Sequence, residues 1–176
     1  MNHAPANLIE LNLQSVQQLF NSMDPSPFHE RDLDEDAEEF IVSWAREHPV
    51  HQPFKLVVHL RERTGSGDVQ LITDSIHHYY EYKATLNRRE FRQLMGQGWI
   101  SLCIGLGFLA LCTVMAQTLA PRFGAFHSIV QEGLTIIGWV AMWRPLEIYL
   151  YRWWPVTDLG RIYRKLSAIP IEVHLP

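Results

Sequence analysis

Three ionisable residues stand in a stretch that is otherwise apolar: Glu132, Arg144 and Glu147. A charge at the centre of a membrane helix costs about 2.5–3.5 kcal/mol, so charges retained there mark a pathway, a protein contact or a boundary. Glu147 follows Arg144 by three residues, which brings the two within ion-pair reach on one helix. Arg144 can also snorkel to headgroups along its aliphatic stem. Pro145 has no N–H for the carbonyl of Ala141, so a kink is expected there.

A second, weaker constellation is Asp74, His77 and His78. Asp74 and His78 are four apart and share a helix face, whereas adjacent histidines point about 100° apart. A zinc site needs three or four convergent ligands, and no zinc-type spacing occurs, so no metal or other cofactor is expected. Asp32, Asp34 and Asp36 alternate like the first ligands of a calcium loop. Ala37 then stands where the turn needs Gly, and Ser43 where a bidentate Glu belongs. His48 and His51 flank a proline in a loop. The chain has no G-x-S-x-G elbow, no P-loop and no dinucleotide-binding glycine pattern. No catalytic residue is assigned.

Other parts of the chain must position these groups. From Trp99 to Ala120 there is no charge. Residues 98–120 would make a helix of roughly 34 Å, enough to cross a hydrocarbon core of about 30 Å. Residues 129–151 have the same length but a clean apolar centre only at 133–143. A linker at 121–128 suits a tight return. The reading is a two-helix transmembrane hairpin over 98–152 with a short external loop. Cys103 and Cys112 fall on opposite faces of its first helix, and small residues such as Ser101, Gly105, Gly133 and Ala141 suit close packing in lipid.

Lys83, Arg88, Arg89, Arg92, Arg152, Arg161, Arg164 and Lys165 flank the hairpin on one side, against Arg122 alone on the other. That places both termini in the cytoplasm, in a plasma or inner membrane. The first 20 residues carry neither the basic region nor the apolar run of a signal peptide, so the first span is expected to act as an internal anchor.

Residues 1–97 form the expected cytoplasmic domain. Strands are expected at 8–13 and 54–60, and a helix capped by Ser15 running to Met23. A further helix should begin from Asp32, with Glu35 three residues on, and run to Glu47. A long helix is expected over 68–95, with 69–73 alternatively a strand paired to 54–60. Residues 153–176 form a tail whose IEVHL, 171–175, echoes LVVHL, 56–60. That echo predicts a third strand returning to the N-terminal sheet.

The fold class expected is therefore a membrane protein of α+β type, a hairpin carrying a small cytoplasmic domain closed by a C-terminal strand. A net charge of −4 argues against nucleic acid as a partner. The expected partners are the lipid bilayer and either further copies or another membrane protein. The expected role is a non-enzymatic scaffold or accessory subunit acting through the cytoplasmic domain. The rivals are an oligomeric channel or transporter subunit using Glu132 or Arg144, and a membrane-anchored metal-dependent enzyme using Asp74, His77 and His78.

Overall fold

Alternation decides the sheet. In the computed structural model, which describes residues 7–21, 25, 32–48, 52–62 and 66–175, strand β1 spans Asn7–Leu13. Its Ile9 and Leu11 are buried, while Leu8, Glu10 and Asn12 face solvent. Strand β2, Phe54–Leu60, sends Phe54, Leu56, Val58 and Leu60 into the same core. Between them lies α1, Glu35–Glu47, which buries Ala37, Ile41, Val42 and Ala45 along one face.

The start of α1 differs from the sequence expectation. Asp34 is the N-cap, its side chain accepting from the Asp36 N–H at 3.2 Å. Glu35, Asp36 and Glu38 then complement the helix dipole. The helix expected after Ser15 shrinks to a 3₁₀ turn, Val16–Gln18. Asn21 N–H donates to the Asp32 carbonyl and Asp34 N–H to the Leu19 carbonyl, both at 2.9 Å. These bonds form a Phe20–Leu33 bridge and occupy groups that a longer helix would need. Most of the loop expected at 24–32 lies outside the described residues, as do Met23, His51 and residues 64–65.

Strand β3, Ile171–His174, completes the sheet in the order β1-β2-β3. Both pairings are parallel. This corrects the α+β expectation: parallel neighbours cannot be joined by a hairpin, so each connection is a crossover. Residues 61–170 form the second crossover. The echoing segments lie side by side in register, Leu56 against Ile171, Val58 against Val173 and His59 against His174.

That crossover begins with α2, Ser66–Leu119, one continuous helix of 54 residues. Residues 69–73 belong to it, so they are helix and not strand; Ile72 and Ile76 are fully buried in the core. It ends with α5, Trp153–Leu166, which adds Ile162 and Leu166, followed by Ile169. Residues 1–87 with 158–176 make one compact unit and 88–157 a second.

The second unit corrects the expected transmembrane hairpin. Among the described residues only one helix, Val69–Leu119, is long and apolar enough to cross a membrane. The stretch 129–151 is not one helix. It divides into α3, His127–Ala141, α4, Trp143–Glu147, and a π-helical turn, Ile148–Arg152. Pro145 is the cause, because it cannot donate to the Ala141 carbonyl. Met142 N–H turns instead to the Trp139 carbonyl at 3.0 Å. At 15 residues α3 is roughly 22 Å long, short of a hydrocarbon core of about 30 Å. The linker before it is a 3₁₀ stretch, Ala120–Phe126, broken at Gly124. Gly124 has φ +53°, a conformation that a side chain would strain.

Glycines set the spacing within this unit. A Cβ on Gly138 would come 2.9 Å from Leu109 Cδ1, and one on Gly105 would come 3.1 Å from the Ala141 carbonyl oxygen. One on Gly98 would come 3.0 Å from Ile148 Cγ2. The chain therefore runs back antiparallel along α2 from Leu109 to Gly98.

In the first unit, a Cβ on Gly160 of α5 would overlap the amide oxygen of Asn87, whose Nδ2 is buried without a hydrogen-bond partner among the described residues. Gly160→Ala should destabilise the protein by about 1–3 kcal/mol through overpacking. Adding Asn87→Ala should recover most of that loss, as read from thermal unfolding of the four proteins of the cycle.

Candidate functional site

The sheet has one dry face and one open face. The open face is built from three in-register rows: Leu8 beside Lys55; Glu10, Val57 and Glu172; Asn12, His59 and His174. Val57, at the centre of this face, is buried, though outside the hydrophobic core cluster. Ile41 of α1, Ile72 and Ile76 of α2 and Ile162 of α5 share one core with Ile9, Leu11, Leu56 and Val58 of the opposite face. Parallel sheets are ordinarily covered on both faces, so this exposure is unusual.

Charge is organised across the open face. Lys55 forms an ion pair with Glu172, and Glu172 lies 3.7 Å from His174 Nε2. The hydrogen bond from Lys55 holds the Glu172 carboxyl below the usual carboxylate range. The His59 and His174 rings are 5.2 Å apart and tilted by 34°. Leu8 is 46% exposed at one corner. The face therefore carries both signs of charge, two imidazoles and an apolar corner.

A second polar centre ties the helices together. The Glu38 carboxylate of α1 accepts from Tyr79 Oη at 2.6 Å and Lys83 Nζ at 2.9 Å, both on α2, and from Tyr163 Oη of α5 at 3.4 Å. Tyr79 and Lys83 are four apart and so share a helix face. Both belong to the compact first unit, well before the uncharged stretch of α2. Burial, then the bond to anionic Glu38, pushes the Tyr79 phenol far above its ordinary range. Burial does the same to Tyr80. Phenols held protonated in this way donate hydrogen bonds but do not serve as bases. The cluster is a clamp on three helices rather than a proton-transfer centre. A shallow hollow of about 350 Å³ lies beside it, lined by Glu35, Glu38, Arg46, Leu159 and Tyr163 among others.

The residues singled out from sequence fall elsewhere. His77 donates or accepts through Nε2 at 2.8 Å from the Ile169 carbonyl oxygen; because a carbonyl only accepts, Nε2 carries the proton. That bond fastens the chain just ahead of β3. Asp74 and His78 are exposed. Among the described residues no three His, Cys, Asp or Glu side chains are grouped to hold a metal ion. Glu132 is exposed and borders an open hollow of about 490 Å³ with Ser128, Gln131, Thr135 and Ile136. Arg144 Nη1 lies 3.5 Å from Glu147 Oε2, with the two side chains 61% and 39% exposed. Cys103 is exposed and Cys112 buried.

Sequence reading missed the Glu38 centre because its members lie on three elements. Only the Tyr79–Lys83 spacing is local, and such pairs are common on helices.

Glu38→Ala leaves the buried Tyr79 hydroxyl and the half-buried Lys83 ammonium without this acceptor and should cost about 1–3 kcal/mol in thermal or denaturant unfolding. Glu38→Gln should cost less, because it keeps one acceptor oxygen. A separate outcome concerns pH. A carboxyl whose folded pKa is depressed stabilises the fold above its unfolded pKa and loses that effect as pH falls through the folded value. The stability gap between the protein and Glu172→Gln should therefore be largest near neutral pH and close as pH drops below about 4.5. Comparison with protein-family models, with curated proteins and with solved structures finds no match to this chain.

Proposed function

We propose that the chain is a membrane-anchored, non-enzymatic scaffold whose compact α/β unit associates with further copies of itself through the open sheet face. The observation that carries this reading is that, among the described residues, no helix covers the second face of an all-parallel sheet, where Leu8, Glu10, Asn12, Glu172 and His174 are exposed. Self-association is favoured over a partner of one charge because Glu10, Glu172 and Lys55 put both signs on a single face.

Size explains why an anchor accompanies it. Two strands of seven residues and one of four cover roughly 280 Å². A stable complex buries about 800 Å² per partner, so this face binds weakly in free solution. Confinement to a membrane raises the effective concentration and makes weak contacts productive. The apolar part of α2 supplies the confinement: Ile100, Ile104, Leu111 and Val114 are each more than half exposed. Lys83, Arg88, Arg89 and Arg92 precede that part and Arg122 follows it, which supports a cytoplasmic position for the unit in an inner membrane. Strand β3 shares a sheet with β1 and β2, so all three strands belong to the one compact unit that would associate.

Donor and acceptor dyes on Ala168→Cys, in a Cys103→Ser/Cys112→Ala background, test this in vesicles. Energy transfer should exceed that of non-interacting proteins at the same lipid ratio and weaken when the protein is dispersed in detergent. Leu8→Arg with Glu10→Arg should remove most of the excess. Transfer no greater than random mixing would overturn the reading.

A further inference from the structure

The segment from Trp143 to Trp154 has two unlike sides. Pro145 and Ile148 are buried. Trp143 is 73% exposed, Tyr151 69% and Trp154 63%, with Leu146 and Leu150 also exposed between them. We propose that this aromatic side is a shallow anchor that takes the headgroups of anionic phospholipids. The inference rests on the membrane reading above and goes further, by giving one segment a depth and a ligand.

Depth follows from packing. Arg92 is the last charge of α2, and none occurs again before Arg122. Gly98 lies six residues beyond Arg92, roughly 9 Å along the helix. A Cβ there would come 3.0 Å from Ile148 Cγ2 and 3.2 Å from the Tyr149 ring, so the π-helical turn is locked at the level of Gly98. That level is the boundary between charged and uncharged helix, where the amphipathic rings of Trp and Tyr are favoured. Trp99, 63% exposed, stands at the same level.

Chemistry follows from which polar groups are free. The Trp153 indole N–H is spent inside the segment, donating to the Tyr149 carbonyl at 2.8 Å. The indole N–H groups of Trp143 and Trp154 have no hydrogen-bond partner among the described residues and can donate to ester carbonyls or phosphate. Arg152 is exposed with no ion-pair partner among the described residues. Arg144 is 61% exposed and shares its charge with Glu147 at 3.5 Å. Two guanidinium groups in the same segment as two free indole donors, at the edge of an apolar helix, complement a phosphodiester headgroup in charge and in donors. A protein partner would satisfy the aromatic rings equally well, but the fixed level at the charge boundary is what selects lipid.

Trp139 provides an internal reference. It adjoins Gly138, which packs at the level of Leu109 and Cys112, roughly 17 Å along α2 from Gly98. The full chain is reconstituted into vesicles of phosphatidylcholine with phosphatidylglycerol, carrying bromine either near the headgroup or near the chain ends. In a Trp99→Phe/Trp153→Phe background, Trp143→Phe with Trp154→Phe should abolish the fluorescence quenched by the shallow bromines, and Trp139→Phe the part quenched by the deep ones. Arg144→Gln with Arg152→Gln should lower the preference for the anionic over the zwitterionic lipid by up to about fivefold for each arginine. Trp143 and Trp154 unquenched, or quenched mainly from the chain ends, while Trp139 is quenched deep, would overturn the anchor and leave the membrane reading standing. An unchanged lipid preference in the arginine variant would overturn the headgroup assignment. Quenching of no tryptophan by either lipid would overturn the membrane reading and the anchor together.

Discussion

The parallel pairing of β3 with β2 is the constraint on which the rest depends. Two parallel neighbours demand a crossover, and here the crossover is residues 61–170. The chain leaves the sheet after Leu60, runs the length of α2, turns at Gly124, returns through α3 and α4, and re-enters the core on α5. The four residues of β3 close this long excursion. His77, bonded to the Ile169 carbonyl, and the Lys55–Glu172 pair hold β3 from either side of its start. Because these contacts join residues about a hundred positions apart, they carry a large loop-closure cost that the shared core offsets.

Glu38 plays the corresponding part among the helices. A single half-buried carboxylate receives donors from two further elements, and burial together with the bond to Glu38 keeps the Tyr79 phenol protonated. A charge in a partly dry site is costly unless its acceptor positions are filled. Tyr79, Lys83 and Tyr163 fill them, which orients α1, α2 and α5 relative to one another. The same filling removes the cluster from catalysis. On the outer sheet face, by contrast, Glu10, Glu172 and His174 stay exposed.

Along α2 the burden shifts from one kind of environment to another. Ile72, Ile76, Tyr79 and Tyr80 are buried in a protein core, whereas Ile100, Ile104, Leu111 and Val114 are exposed. That second part is long and apolar enough to cross a membrane. Close approach of the returning chain is confined to Gly98, Gly105 and Gly138, where no Cβ intervenes.

By itself the sequence determined the local features. The uncharged run from Trp99 to Ala120, the β-branched FKLVVHL, the acidic start of α1 and the proline at 145 each act through neighbours a few residues away. The echo of LVVHL by IEVHL even indicated that the tail would join the N-terminal sheet. Tertiary structure alone decided the direction of that pairing, because an alternating apolar pattern suits parallel and antiparallel partners equally. It chose Asp34 over Asp32 as the cap, since the Phe20–Leu33 bridge claims the backbone before it. It broke 129–151 into pieces, where apolar length alone had suggested one helix. And it assembled the Glu38 centre and the open sheet face from residues far apart in the chain, whose convergence depends on packing and register that no spacing in a single sequence encodes.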